Sequence, residues 1–427
     1  MNSWPLLGSL PAFRADSTGF LLRQAQQQGD VARFRLGRRP AFLLNHPNLV
    51  RAVLVDQATA FEKGRLIQRA RRLLGDGLLT SEGAFHAMQR RRIRPVFTQH
   101  RLHGYGEGVA ELTRRHTERW RPGARIRVDV EMDALAMRVV AQALLGADIG
   151  SEIPELGHAL RRLARWAPLL AAPGGRMLEK VGPWRKAIET IEAAITQRIE
   201  RPGPDDTLVG ALHRAGDDGQ PMPSRLVRDE VMTVFLAGHD TTAASLMWIW
   251  LLLGRDPRAE AKLHEELQTV LGGRDPAAAD VGRLHYTDMI VREALRLYPP
   301  ISRIGRRPMI DVDLGSVVLP RGATVFVSPF VTQRDPRWFP DPGAFQPERW
   351  RDPQALPRFA WFPFGAGPRA CIGEHFARLV IVLAVATIAQ RWRLQPTRAG
   401  LPRPRSLLTL KPRGRISMEL TRRACGP

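Results

Sequence analysis

Two kinds of hydrophobic spacing divide this chain. In "VARFRLG" (31–37), "AFLLN" (41–45) and "SVVLPRGATVFVS" (316–328), apolar residues alternate or form short blocks bounded by Gly and Pro. Such patterns predict strands, the last segment folded as a hairpin. Apolar residues spaced three and four apart predict helices over 107–120, 129–145, 186–200, 224–254, 256–271, 283–297 and 374–390. Pro and Gly clusters at 202–204, 221–223, 272–276, 299–308 and 336–347 punctuate them. No fixed-period repeat or long Gly/Ser linker divides the chain, so the pattern predicts one mainly α domain with a small β region, strand-rich over about 1–60.

The stretch "VMTVFLAGHDTTAASLMWIWLLL" (231–253) is long enough to span a bilayer, but Gly238-His239-Asp240-Thr241-Thr242 sits in its middle. Asp at a bilayer centre costs about 3 kcal/mol, and no second apolar span shelters it. An all-round apolar helix in the centre of a large globular domain fits better. The first twenty residues contain neither a basic n-region nor a long apolar run, which predicts no signal peptide and no membrane anchor.

Composition sharpens this in two places. The 427 residues contain two cysteines, Cys371 and Cys425, too few for a disulfide framework, which points to a reducing cytoplasm. The formal charge is +22, yet only five of the 64 basic residues are Lys, and Arg is spread along the whole chain without a stripe of stacking aromatics. That argues against nucleic-acid binding and for a basic docking face that meets an acidic protein.

The candidate chemistry lies in "FPFGAGPRACIGEH" (362–375). Gly365, Gly367 and Gly373 permit positive φ and close approach to a flat ligand, and Pro368 stiffens the turn. The helix expected to follow presents free N–H groups and its positive dipole end to Cys371, and Arg369 adds charge. A structural Cys in a turn is the plain alternative. The full spacing Phe364-x-x-Gly367-x-Arg369-x-Cys371-x-Gly373 favours a thiolate axial ligand to haem iron, a ligand that pushes electron density toward O–O cleavage.

This loop resembles the haem-binding signature of the cytochrome P450 family, and three further motifs occur in the family's order. "AGHDTT" (237–242) resembles its oxygen-activation motif, Glu293-Ala294-Leu295-Arg296 its ExxR motif, and Pro347-Glu348-Arg349-Trp350 the segment after it. The resemblance extends to about residue 410. It implies the P450 fold, with a long central helix above haem b and the cysteine loop below.

It also implies roles. Ala237 and Gly238 let the central helix pass close to the haem, while Asp240 and Thr241 deliver protons. Thr242 is the weaker candidate for the hydroxyl, and His239 occupies a variable position that is not a ligand. Glu293, Arg296 and Arg349 form a buried structural network. Arg369, Arg90, Arg306 and His86 are the candidates for the haem propionates, His86 standing where the family often has Trp.

The expected reaction inserts one atom of O2 into an apolar or amphipathic small molecule such as a terpenoid, fatty acid or polyketide. A P450-type isomerase or dehydratase that does not use O2, and a non-catalytic haem binder, are the alternatives; retention of the Asp240–Thr241 pair argues against both. Leu78, Leu79, Phe235, Leu236, Ile301, Ile304 and Leu408 are the candidate substrate contacts, with 166–184 a further candidate segment. Arg65, Arg69, Arg71 and Arg72 are candidate carboxylate contacts, unless they are solvated or lie near the propionates. With no second dinucleotide fingerprint in the sequence, the expected electron donors are a separate ferredoxin and its NAD(P)H-dependent reductase, serving a monomer.

Overall fold

A computed structural model describes residues 6–146, 149–150, 152–170, 182–199, 207–214 and 221–423. Its helices are α1 (Leu10–Ala15), α2 (Ser17–Gln28), α3 (Pro47–Arg51), α4 (Arg65–Leu74), α5 (Gly83–Ile93), α6 (Gln99–Thr117), α7 (Val128–Leu145) and α8 (Ile153–Leu170). They continue with α9 (Gly182–Ile199), α10 (Leu208–Arg214), α11 (Ser224–Leu253), α12 (Pro257–Leu271), α13 (His285–Leu297), α14 (Pro329–Thr332) and α15 (Glu374–Arg391). Among the described residues, no helix is long and apolar enough to cross a membrane.

The strands are β1 (Val31–Leu36), β2 (Arg39–Leu44), β3 (Phe61–Lys63), β4 (Arg125–Arg127), β5 (Ile304–Pro308), β6 (Val312–Asp313), β7 (Val318–Leu319) and β8 (Thr324–Val327). Four more, β9 (Trp392–Pro396), β10 (Pro404–Ser406), β11 (Leu410–Pro412) and β12 (Ser417–Arg422), lie near the end of the chain. A five-stranded sheet has the order β1-β2-β8-β5-β3, with β2 and β8 parallel and the other pairs antiparallel.

Local chemistry sets many of these boundaries. Asp256 caps α12 by accepting from the N–H groups of Arg258 and Ala259, Pro257 opens the first turn, and Gly272 closes the helix at φ 56°. The second half of α11 is buried on all sides from Ala243 to Leu253, and α15 is buried from Leu379 to Ala389. Together with α7 and α13 they form the main core. Thirty residues make α11 about 45 Å long, enough to carry a polar site in one half and core in the other.

Four expectations need correction. Segment 316–328 is not one hairpin: β7 pairs back to β6, while β8 enters the large sheet between β2 and β5. Alternation marks a strand and its faces but not its partner. Strands also gather near the end of the chain, and β5 occupies a segment expected to be a break. The helix expected at 107–120 begins earlier, at Gln99.

Candidate active site

The cysteine loop is held at both ends. Phe362 N–H donates to Gln333 Oε1 at 3.0 Å, and Gln333 Nε2 donates to the carbonyls of Leu295 and Arg296, both at 3.0 Å. Inside the loop, Gly365 N–H bonds Phe362 O at 3.0 Å and Cys371 N–H bonds Phe364 O at 2.8 Å. Gly367 has φ 69°, and a Cβ there would lie 2.0 Å from Leu54 O, so only glycine fits.

Cys371 is exposed, just before α15, and the Gly373 N–H is directed at its sulfur. Protein around the rest of the side chain desolvates it and pushes the thiol up to about 11, outweighing the Gly373 N–H and the Arg90 charge. The loop therefore does not make a thiolate unaided. A cation at the sulfur does, since coordination deprotonates a thiol outright. The Arg369 charge expected there is directed elsewhere, to Ser81 O at 3.3 Å and to Glu82. Arg90 takes its place, with Nη1 donating to Ala370 O at 2.7 Å.

Arg369 belongs instead to a cationic cluster with Lys63, His86, Arg90 and Arg306. Lys63 was missed in the sequence; its ammonium donates to the carbonyls of Leu78 and Ser81, each at 2.9 Å. Burial, then the Arg369 charge, pulls Lys63 down to about 7. Burial and the same cations pull His86 down to about 3, so its imidazole is neutral. Burial lowers Arg306 to about 10, and among the described residues it has no salt-bridge partner. Glu82 is the acid inside the cluster, pairing with Arg369 and accepting from Lys63 N–H at 2.8 Å. The Ser81 hydroxyl is buried without a partner. Such an excess of buried positive charge fits a planar ligand with acidic arms, as haem is.

On α11, Ala237 is exposed and Leu236, Asp240 and Thr241 are partly exposed, whereas Phe235, His239 and Thr242 are buried. The Thr241 hydroxyl donates to Ala237 O at 2.8 Å. Asp240 is not free: Lys411 Nζ lies 2.7 Å from Oδ1, and Thr409 Oγ1 donates to Oδ2 at 2.6 Å. The lysine charge holds Asp240 below the usual carboxylate range despite burial, which acts the other way and is the larger single influence. Phe235 stacks on His239 with centroids 5.7 Å apart, inside the main core. Gly238 presents its open side to Val140 of α7, where a Cβ would make ordinary contact at 3.5 Å, so the α7–α11 packing would admit alanine there.

Glu293, Arg296 and Arg349 do come together. Arg296 and Glu293 are fully buried and pair at 2.8 Å, and Arg349 Nε donates to Glu293 Oε1 at 3.0 Å. Gln333 links this network to the cysteine loop, because it bonds both Arg296 O and Phe362 N–H.

The candidate substrate contacts divide. Ile301 and Leu408 are exposed, and Leu79, Leu236 and Ile304 are partly so. Leu78 is buried, its N–H donating to Glu230 Oε2 at 3.0 Å. Arg71 pairs with Asp76 and is 58% exposed, so it is a solvated residue. Arg65 sits among Arg39, Arg307 and Arg69. The Arg72 side chain, residues 171–181 within 166–184, and Cys425 lie outside the described residues.

A family model described as "Cytochrome P450" matches residues 1–418. Cyclooctatin synthase of Streptomyces melanosporofaciens is 38% identical over 397 residues, covering 90% of this chain and 86% of its own. Cyclooctat-9-en-7-ol 5-monooxygenase of the same organism is 36% identical over 411 residues, 92% and 89% of the two chains. Pentalenene oxygenase of Streptomyces avermitilis is 34% identical over 419 residues, 93% and 91% of the two. The chain belongs to the cytochrome P450 family. It is a P450 monooxygenase with a haem-thiolate cofactor, and it draws its electrons from redox partners.

Proposed function

We propose that the enzyme hydroxylates or epoxidises an apolar, terpenoid-type carbon skeleton. The names of its relatives, an oxygenase of pentalenene and a 5-monooxygenase of an unsaturated alcohol, support that substrate class. So does the apolar character of the exposed contacts, Ile301 and Leu408. Cys371 would ligate the iron, and the cationic cluster would hold the propionates: Arg306 and Arg369 by charge, neutral His86 as a hydrogen-bond donor, and Lys63 and Arg90 from the flanks. The observation that carries this assignment is the exposed Cys371 thiol, with the Gly373 N–H on its sulfur, in the same site as cations that outnumber their acids. The arginine-rich face that includes α5 suits an acidic ferredoxin, served by an NAD(P)H-dependent reductase.

When bound, the haem supplies O2 activation and the oxidising power for oxygen insertion. The protein supplies protons and excludes water. The Thr241 hydroxyl can pass on its own proton while accepting another, and Asp240 collects protons from solvent. The backbone acceptor Ala237 O keeps the hydroxyl in place between turnovers. Replacing Thr241 with Ala should redirect electrons from product to hydrogen peroxide, with the product fraction falling ~10²-fold if the hydroxyl is the general acid. Unchanged coupling would remove Thr241 from the proton path.

A further inference from the structure

Residues 300–304 carry the chain from α13 past the cysteine loop into β5, and Ile304 Cδ1 lies 3.7 Å from where a Gly365 Cβ would stand. Between the candidate substrate contacts Ile301 and Ile304 sits Arg303, a charge used neither by the haem cluster nor by the Glu293 network. Its Nη1 donates to Ser17 Oγ of α2 at 2.9 Å and to Ser406 Oγ of β10 at 2.8 Å, and Ser406 also meets Ser302 Oγ at 2.9 Å. The guanidinium lies over the Phe13 ring of α1, its Cζ 5.3 Å from the centroid, and Phe13 in turn stacks on Phe326 of β8. One nitrogen and one face are thereby fixed, while Nε and Nη2 meet no acceptor among the described residues. Those two nitrogens form the edge by which Arg296 grips both oxygens of Glu293, each at 2.8 Å.

The charge of Arg303 is also unbalanced. Burial pulls Arg306 down to about 10 and Arg334 to about 9, but Glu82 acts on the first, and Tyr298 and Glu293 on the second. Arg303 falls to about 10 through burial alone, with no acid acting on it. Yet part of its surface stays open. A group that the protein desolvates while leaving surface uncovered borders a recess rather than bulk water. Cys371 shows the same combination.

We propose that Arg303 is a specificity-determining residue whose Nε–Nη2 edge binds a substrate carboxylate, so that the preferred substrate is a terpenoid-type acid rather than the bare hydrocarbon. This rests on the reading of the enzyme as a haem-bearing oxygenase of such skeletons. One guanidinium balances one negative charge and matches the two oxygens of a carboxylate, which a diphosphate would exceed. Ile301 and Ile304 on either side suit the carbon skeleton of the same molecule. A carboxylate on that skeleton is made by oxidation, so an earlier oxidising step supplies this substrate.

The test uses the haem-loaded enzyme and ligands anchored at the iron by an imidazole: ω-imidazolyl alkanoic acids, octanoic to dodecanoic, each titrated against its methyl ester by the Soret shift. The best acid should bind at least ~10-fold tighter than its ester, as one charge-assisted contact allows. Arg303→Met should erase that preference and leave ester affinity at the parent value, since an apolar chain in place of an unpaired buried charge does not weaken the fold. Arg303→Gln keeps a donor for the two serines and should erase it too, so the test stands even where the methionine variant loses haem. Equal affinity for acid and ester at every chain length in the parent overturns the anchor, as does a preference that survives both substitutions. If neither acids nor esters shift the Soret band, the haem-site reading itself falls and takes the proposal with it.

Discussion

Two of the buried polar groups in this enzyme are built on opposite plans. Around Glu293 everything is satisfied. All five N–H groups of Arg296 have acceptors, two on Glu293 and one each on the carbonyls of Gln333, Pro342 and Ala344. Glu293 also accepts from Arg349, Gln346 N–H and Trp350 Nε1. Around Lys63 the account does not close. Lys63, Arg306 and Arg369 crowd one another, His86 is forced neutral, and the acids acting on Lys63 are Glu82, paired with Arg369, and more weakly Glu230. The closed network needs nothing more and holds the fold. The open one is stable only at the expense of repulsion, and under the proposed assignment an acidic cofactor would relieve it.

The comparison breaks first at Glu293. Glu293→Ala strands Arg296 in the core at a cost of about 3–5 kcal/mol, so the chain should lose both its cooperative denaturant transition and its haem. A variant that folds normally and holds haem would show the network to be dispensable.

Arg306→Gln and Arg369→Gln should do the reverse. If the cluster holds the propionates as proposed, each removes a charge-assisted contact worth about 1.5–3 kcal/mol, so haem affinity should fall ~10-fold or more. The haem-free protein should meanwhile be no less stable, and for Arg306 more stable, because a repulsive neighbour is gone. Loss of apo stability matching that of Glu293→Ala would erase the distinction, and denaturation of the apo and holo forms checks it.

The third effect is a pH slope. His86 has its folded pKa lowered to about 3, so the unfolded chain binds the extra proton below about 6.5, and stability falls as pH drops through that window. Between pH 7 and pH 5 the apo protein should lose about 2 kcal/mol more than His86→Gln does. Parallel pH profiles for the two proteins would contradict the crowding.

How much of this could be read in advance follows the range of the interactions involved. The long helices, α11 and α15 above all, announce themselves in three-four spacing, and the cysteine loop does so in its glycines. The Glu293–Arg296 pair is legible because it spans one helical turn. The three-residue strands β10 and β11 carry too few residues for a period, and the partners of β7 and β8 are set by register with distant chain. Lys63 and Lys411 needed tertiary structure, since their acceptors lie on other segments. One signal was available nonetheless. In a chain where 59 of 64 basic residues are Arg, Lys63 and Lys411 stand out, and each serves more than one acceptor with a compact ammonium. Phe235 shows the opposite limit: its position just before the motif puts it next to that segment, but its helical face turns it into the core.

The most direct test of the central claim is the carbon monoxide difference spectrum of the dithionite-reduced protein, recorded for the parent and for Cys371→Ser. A strongly red-shifted Soret band in the parent alone is the predicted result, and it would place the Cys371 thiolate on haem iron. A band that survives in Cys371→Ser, or no haem band in the parent, would contradict the account and leave Cys371 an ordinary thiol at the start of a helix.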